Sequence, residues 1–209
     1  MTNFILNFVC LIVGYLLGSV NTSIVVGKIY GKDVRNYGSK GAGLTNVLRV
    51  LGKKAALIVL IGDILKGILA CLIGSALGDY FYHGNIANYE GALITGVGAV
   101  IGHNWPLYFN FKGGKGALIA ISVMFMVNWQ MALLSIIFFL LVVAITRYVS
   151  LGTIGATLLF VIVSYLPFFN ESLNFHIISS LLAIVIIFRH RANISRLING
   201  TENKLSFSK

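Results

Sequence analysis

Long apolar runs follow one another along almost the whole chain, with short polar segments between them. A helix needs about 20 apolar residues to cross a bilayer. From the runs and their Gly, Pro and charged breakers we place spans near residues 4–26, 48–77, 89–107, 115–127, 129–147, 151–168 and 175–190. The fourth is short for a crossing, so five or six spans with a re-entrant piece stay open. The pattern predicts an all-α, polytopic integral membrane protein.

The composition agrees with this pattern. The 209 residues are 57% hydrophobic and only 11% charged, whereas soluble domains carry about 25% charged residues. The apolar pattern repeats to residue 188, so an amino-terminal signal peptide does not explain it. We find no repeat or linker and predict one domain over residues 1–209, with a flexible tail from about residue 200. Cys10 and Cys71 lie in apolar segments and are expected to be free thiols.

The basic residues predict the orientation of the spans. With seven spans and the amino terminus outside, 15 of the 16 Lys and Arg residues fall on the inner side, and only Lys66 lies within a span. The outer turns contain Asp79, Glu90 and Glu171 and no basic residue. The carboxyl terminus is then cytoplasmic. The net charge of +10 follows from this bias, and nucleic acid is not an expected partner because there is no basic soluble domain.

A first polar cluster spans residues 37–49. Its three glycines permit tight turns, and Thr45 or Asn46 is a candidate cap for the second span. Arg49 lies three or four residues further on, so these side chains can share a helical face. A helix amino end beside an arginine suits a phosphate. The alternative is a capped helix whose arginine extends to the lipid headgroups.

A second cluster is the stretch Phe-Lys-Gly-Gly-Lys-Gly-Ala-Leu at residues 111–118. It resembles a nucleotide-binding loop, but Gly116 stands where that loop has Ser or Thr. Gly113, Gly114 and Gly116 lead into a predicted helix, and backbone amides in such a turn can form an anion-binding concavity beside Lys115. The alternative is a tight turn between helices. Upstream, His103 is expected to be a packed, hydrogen-bonded histidine.

A third cluster runs from residue 188 to 196. At helical spacing Arg189, Asn193 and Arg196 share a face, and His190 lies beside Asn193. A stop-transfer charge cluster is the alternative, although it accounts poorly for His190 and Asn193.

Two smaller features complete the polar inventory. Ser150 is a candidate cap of the sixth span, Thr153 lies one turn further on, and both are eligible for the same inner-side pocket. Asp63 and Lys66 lie mid-span at a spacing that allows an ion pair, for which we favour a structural role over the alternative of a polar pocket wall.

This inventory suits phosphate better than metal. Only Asp33 and Glu202 supply carboxylates on the inner side, too few for a magnesium site. There is no H-E-x-x-H, no cysteine pair and no G-x-S-x-G motif. We therefore expect neither a metal nor another cofactor.

The ordered motifs resemble one known family. They lie at residues 18–23, 37–39, 45–49, 102–106, 111–116, 146–152 and 189–196, and the set is similar to the bacterial membrane acyl-phosphate:glycerol-3-phosphate acyltransferases. The resemblance implies transfer of a fatty acyl group from acyl phosphate to glycerol 3-phosphate, which yields 1-acyl-glycerol 3-phosphate in the first acylation of phospholipid synthesis. The candidate catalytic residues are Ser39, Arg49, Lys115, His190 and Asn193. The candidate substrate-binding residues are Thr45, Asn46, Gly113, Gly114, Gly116, Ser150 and Thr153.

This assignment implies a cytoplasm-facing site in the bacterial plasma membrane. Membrane lipid and an upstream enzyme that forms acyl phosphate are expected partners. The sequence departs from the family pattern at Lys40, Gly41 and Leu44, and Asn21 replaces the usual proline. The lost asparagine at position 41 removes a side-chain contact, whereas Lys40 adds a cation.

Acyl phosphate already carries a good leaving group, so no enzyme nucleophile is required. The His-x-x-x-x-Asp pair of other acyltransferases is absent, since Tyr108 and Ser195 lie five residues after the two candidate histidines. Either a substrate phosphate or His190 then takes the hydroxyl proton. Two rivals stay open: a transporter for a phosphate compound, and the same acyl transfer with acyl-CoA or an acyl carrier protein as donor.

Overall fold

A computed structural model describes residues 2–82 and 85–205, and this part of the chain is helical, without a β-strand. Two 3-10 turns, Val34–Asn36 and Leu107–Phe109, interrupt the connections. The α-helices are α1 Thr2–Ser19, α2 Thr22–Ile29, α3 Leu44–Leu51, α4 Lys53–Tyr82, α5 Asn85–Asn104, α6 Ala117–Val127, α7 Trp129–Thr146, α8 Val149–Ser164, α9 Leu173–Arg189 and α10 Arg191–Ile198.

Each of the seven predicted spans overlaps at least one of these helices, and the first two spans each overlap two, α1 with α2 and α3 with α4. Three stretches are long and apolar enough to cross a membrane, namely Phe4–Ile29, Lys53–Tyr80 and Trp129–Thr146. A fourth candidate span results if α9 and α10, which meet at a 58° bend, are taken as one broken span. The all-α prediction is confirmed for the described residues. The number of seven crossings and the sides on which the termini lie stay predictions.

The helices group into two compact units, Met1–Val127 and Asn128–Lys209. The prediction of a single domain is not tested by this division and stays a prediction. The candidate site residues are distributed over both units.

In the first unit, small residues allow helices to touch backbone to backbone. A Cβ atom on Gly14 or Gly18 of α1 would collide with the main chain of α5 at Thr95 and Ala99. Gly98 and Gly102 of α5 meet α1 in the same way. Such contacts are how helices pack closely where no hydrophobic effect drives them together. They anchor the carboxyl end of α5, from which the glycine-rich turn departs.

In the second unit, aromatic contacts link α8 to α9. The rings of Phe160 and Phe175 lie 6.0 Å apart, and Tyr165 stacks on His176 at 4.3 Å.

Cys10 and Cys71, both in the first unit, are free and buried, as predicted.

Candidate functional site

The loop between α2 and α3 is shaped by one side chain, Asn46. Its amide Nδ2 donates to the backbone carbonyls of Val34 at 2.8 Å, Gly41 at 2.9 Å and Tyr37 at 3.2 Å. Its Oδ1 accepts the backbone N–H of Ser39 at 2.9 Å. The side chain is 2% exposed, so these bonds replace water that it has lost. Asn46 therefore organises the loop that presents Ser39.

The predicted helix cap in this cluster was wrong. The residue that caps α3 is Gly43, in extended backbone and without a side-chain hydrogen bond, so neither Thr45 nor Asn46 serves as cap. Gly52, with φ of 85°, then separates α3 from α4, and the predicted second span is divided there. Arg49 lies on α3 and is exposed, as is Ser39 in the preceding loop, and Thr45 is half-buried.

The glycine-rich turn after α5 is closely packed at its centre. The backbone N–H of Gly114 donates to the carbonyl of His103 at 3.0 Å. A Cβ atom on Gly114 would collide with His103 Nε2 and with the carbonyl oxygen of Ala42. Ala42 belongs to the loop that Asn46 organises, so the first and second polar clusters meet at Gly114.

The turn ends as α6 begins. Gly116 has a φ of 75°, which favours glycine, and a Cβ atom there would press on Asn104. Lys115 is half-buried directly before Ala117, the first residue of α6. The first backbone amides of a helix have no acceptor within the helix, so they suit an anion. A cation and a helix amino end thus lie side by side, as the sequence predicted.

Behind the turn, His103 belongs to a buried polar network. Lys66 Nζ lies 2.8 Å from Asp63 Oδ1 and 3.1 Å from His103 Nδ1. Thr22 donates to the same carboxylate oxygen at 2.9 Å, and Asn21 Nδ2 lies 3.4 Å from His103 Nδ1. Because ammonium and amide groups donate, Nδ1 accepts and the ring hydrogen of neutral His103 lies on Nε2. The predictions of an Asp63–Lys66 ion pair and of a packed His103 are confirmed.

In the second unit, the carboxylate of Glu202 accepts hydrogen bonds from three polar side chains. Its Oε1 accepts from Asn193 at 2.7 Å and from Ser150 at 3.1 Å, and its Oε2 accepts from Arg196 Nε at 2.7 Å. The predicted cap role of Ser150 was wrong, since Tyr148 occupies that position. Ser150 instead donates to the carboxylate.

The chain around Glu202 is held by further bonds. The backbone N–H of Thr201 donates to the backbone carbonyl of Arg196, and that of Leu205 donates to the backbone carbonyl of Arg147, both at 2.8 Å. The flexibility predicted from about residue 200 stays a prediction, and residues 206–209 lie outside the described part of the chain.

His190 lies at the break between α9 and α10. Its Nδ1 lies 2.8 Å from the carbonyl oxygen of Ile186, which can only accept, so Nδ1 carries the hydrogen and the lone pair of the neutral ring is on Nε2. The break separates Arg189 on α9 from Asn193 and Arg196 on α10, and the predicted shared helical face of these three residues was wrong. Thr153 donates to Val149 within α8 at 2.9 Å.

Asn193 retains unused hydrogen-bonding capacity. The side chain is 5% exposed, and within the described residues its Oδ1 has no partner. Buried amide oxygens are nearly always paired. A donor from substrate is one group that would satisfy this atom.

Three organising roles were not predicted from the sequence: the contacts of Arg35 with the segment before the glycine turn, the acceptor role of the Glu202 carboxylate, and the support that His103 gives to the turn. Glu202 carried a usable signal, because it is one of only two carboxylates that the charge pattern assigns to the inner side, and a buried carboxylate needs donors. The role of His103 had no such signal, because its partners come from distant helices.

Glu202 yields a pH prediction. Burial alone would raise the pKa of Glu202, but hydrogen bonds from Asn193, Arg196 and Ser150 outweigh it and hold the pKa below its ordinary value. A lowered folded-state pKa contributes stability that is present above the unfolded pKa, about 4.3, and is lost as pH falls through the folded value. We expect the melting temperature of detergent-purified wild type to fall more steeply below about pH 4 than that of Glu202→Gln. Parallel melting curves would contradict this.

The chain is similar to known glycerol-3-phosphate acyltransferases. The family profile described as glycerol-3-phosphate acyltransferase matches residues 8–200. The enzyme of that name from Thermoanaerobacter pseudethanolicus (strain ATCC 33223 / 39E) is 44% identical over 195 residues, 93% of each chain. That from Clostridioides difficile (strain 630) is 41% identical over 206 residues, 95% of each chain.

Two solved structures are similar in fold. They are crystal structures of PlsY (YgiH), an integral membrane glycerol 3-phosphate acyltransferase. The glycerol 3-phosphate form is 36% identical with a TM-score of 0.84, covering 96% of both chains. The lysophosphatidic acid form is 35% identical with a TM-score of 0.81, covering 96% of this chain and 95% of that one.

Proposed function

The chain belongs to the glycerol-3-phosphate acyltransferase family, and we propose that its acyl donor is an acyl phosphate. In this reaction the 1-hydroxyl oxygen of glycerol 3-phosphate bonds to the acyl carbonyl carbon, and the bond from that carbon to the phosphate oxygen breaks. The products are 1-acyl-glycerol 3-phosphate (lysophosphatidic acid) and inorganic phosphate, and the hydroxyl proton passes to a base.

The observation that carries the proposal is the contact between the two loops of the first unit at Gly114. One loop leads to Arg49, and the other places Lys115 at the start of α6. A cation on the helix that follows one loop and a second cation at the end of the adjoining turn suit a reaction in which one phosphate must be bound and another must leave. Acyl phosphate needs no enzyme nucleophile, so positioning and charge stabilisation suffice.

We assign roles to the side chains accordingly. Lys115 and the first backbone amides of α6 bind phosphate, Lys115 and Arg49 stabilise the charge that develops, and Ser39 hydrogen-bonds substrate. Asn46 acts through the loop that it organises. Either the departing phosphate or Nε2 of His190 accepts the proton, and an unchanged turnover of His190→Asn would assign it to phosphate.

The remaining candidates lie in the second unit. Asn193 Oδ1 accepts a hydrogen bond from substrate, and Glu202 orients Asn193 from the other end of the amide. Ser150 donates to Glu202 and supports it, and Thr153 lies one turn further on α8.

We further propose the predicted topology of seven spans with the amino terminus outside. The active site then faces the cytoplasm at the bacterial plasma membrane. A reaction that forms acyl phosphate must precede this one, so the enzyme that catalyses it is the expected supplier of donor.

The test is a donor comparison with purified protein. We expect lysophosphatidic acid to form from glycerol 3-phosphate with acyl phosphate and not with acyl-CoA or acyl carrier protein of the same chain length. Formation from either thioester at an equal or higher rate would overturn the donor assignment. A covalent acyl group trapped on Ser39 would overturn direct transfer.

A further inference from the structure

Arg35 lies in the loop between α2 and α3 and binds the segment that leads into the glycine-rich turn after α5. Its Nη1 donates to the carbonyls of Phe109 and Lys112, each at 3.1 Å. Its Nε and Nη2 donate to both carboxylate oxygens of Asp33 at 2.7–3.2 Å. The Asp33 carboxylate also accepts the backbone N–H of Arg35 at 3.0 Å. The carboxylate thus fixes the guanidinium plane, and Nη1 is directed at two carbonyls that lie 74 and 77 residues further along the chain.

The segment that Arg35 holds is strained. Asn110 and Phe111 are consecutive and both left-handed, with φ of 54° and 57°. Asparagine adopts this conformation readily, whereas a bulky residue such as Phe111 does so rarely. Conformations of this kind persist only where surrounding structure determines them. The two carbonyls that Arg35 binds lie directly on either side of the strained pair.

Lys112 is followed at once by Gly113, so the strained pair sets where the glycine turn begins. Backbone bonds from Phe109 and Phe111 to the carbonyl of Pro106 fold the upstream side of the same segment. On the downstream side, the N–H of Lys112 donates to Phe109 at 3.2 Å and that of Gly114 to His103 at 3.0 Å, and the bond from Arg35 to the Lys112 carbonyl is a further anchor of this side, which leads to Lys115. An ordinary surface ion pair contributes little, but this pair is bidentate and binds two backbone acceptors as well.

We propose that Arg35, oriented by Asp33, is a positioning residue for glycerol 3-phosphate: it holds the strained Asn110–Phe111 segment and thereby fixes the glycine turn. This inference rests on the proposed role of that turn in binding phosphate. Hydrogen bonding to Arg35 holds the pKa of Asp33 below its usual range, and hydrogen bonding to Asp33 raises the pKa of Arg35. The pair is therefore ionised throughout the neutral range.

The first variant is Arg35→Gln, assayed in purified protein with acyl phosphate. We expect the KM for glycerol 3-phosphate to rise about tenfold, as for the loss of a charge-assisted hydrogen-bonded contact, with kcat and the KM of the donor little changed. Asp33→Asn keeps the guanidinium and loosens its orientation, so a smaller rise in the same constant is expected. Lys32→Gln is the matched control, because Lys32 is a basic residue of the same loop whose ammonium lies 6.0 Å from the centroid of the Tyr37 ring.

The decisive experiment tests whether relieving the backbone strain at Phe111 compensates for the loss of Arg35. Phe111→Gly removes the conformational cost at position 111, so in the Arg35→Gln background it should restore most of the lost affinity. If Arg35 only stabilised the fold, Phe111→Gly would not be expected to restore the KM, because the Arg35 bonds go to the backbone carbonyls of Phe109 and Lys112 and not to the side chain of Phe111. Failure of Phe111→Gly to restore the KM, or a fall in kcat at unchanged KM, would overturn the proposal.

Lys115→Met, assayed in parallel, separates this proposal from the proposed function. If Lys115→Met retains full activity, the turn is not the phosphate site and the proposed function of the turn fails. If Lys115→Met is inactive and Arg35→Gln keeps a wild-type KM, only the positioning role of Arg35 fails. Where Arg35→Gln does not fold, Asp33→Asn with and without Phe111→Gly gives the same comparison.

Discussion

Replacement of Gly114 by alanine is expected to remove nearly all acyltransferase activity. The added methyl would overlap His103 Nε2 and the carbonyl oxygen of Ala42. The carbonyl belongs to backbone, and the His103 ring is held by Lys66 and Asn21, so neither partner can move away cheaply. The turn must shift instead, and with it Lys115. A displacement of about 1 Å costs on the order of 100-fold in rate, which steady-state kinetics on purified protein would measure as a fall in kcat/KM.

Gly43→Ala is the matched control for that substitution. Gly43 caps α3 in extended backbone, and a Cβ atom there meets nothing within 4 Å. Wild-type activity of Gly43→Ala beside a largely inactive but folded Gly114→Ala would place the effect at the close contact. Near-wild-type activity of Gly114→Ala would show that the contact between the loops has no catalytic role.

The glycine turn shows what the sequence could and could not predict. Three glycines and a lysine ahead of an apolar run predict a tight turn at a helix start, because both features are local. The special position of Gly114 depends on His103 and Ala42, which approach from other parts of the chain. No local pattern carries that information.

The polar residues also show that contacts within one helix could be predicted, whereas contacts between distant segments could not. Asp63 and Lys66 pair within one helix, so spacing alone predicted their contact. Asn46 was predicted as a cap because its position before an apolar run is typical of one, but tertiary contacts with Val34, Tyr37 and Gly41 prevail. Helical spacing also failed at Arg189, because the chain bends by 58° after it.

Lys115→Met is expected to lower kcat by about 100- to 1,000-fold, the range seen when one group that stabilises developing charge is removed. Methionine keeps much of the length and the apolar stem of lysine, so the side-chain volume is largely preserved while the charge is lost. Under the proposed mechanism the ammonium binds phosphate beside the helix amino end, and the backbone amides alone cannot replace a full charge. The measurement is single-turnover acyl transfer at saturating glycerol 3-phosphate.

Lys112→Met provides the comparison, since Lys112 precedes the same turn, is exposed, and contributes its backbone carbonyl rather than its ammonium to the contact with Arg35. We expect Lys112→Met to retain wild-type kcat. Equal losses in the two variants would mean that the net positive charge of the loop matters and that position 115 has no special role. If Lys115→Met keeps its turnover at saturation and loses only affinity, Lys115 binds the ground state and transition state alike. The charge that develops on the acyl carbonyl would then be stabilised elsewhere, with Arg49 as the next cation to replace.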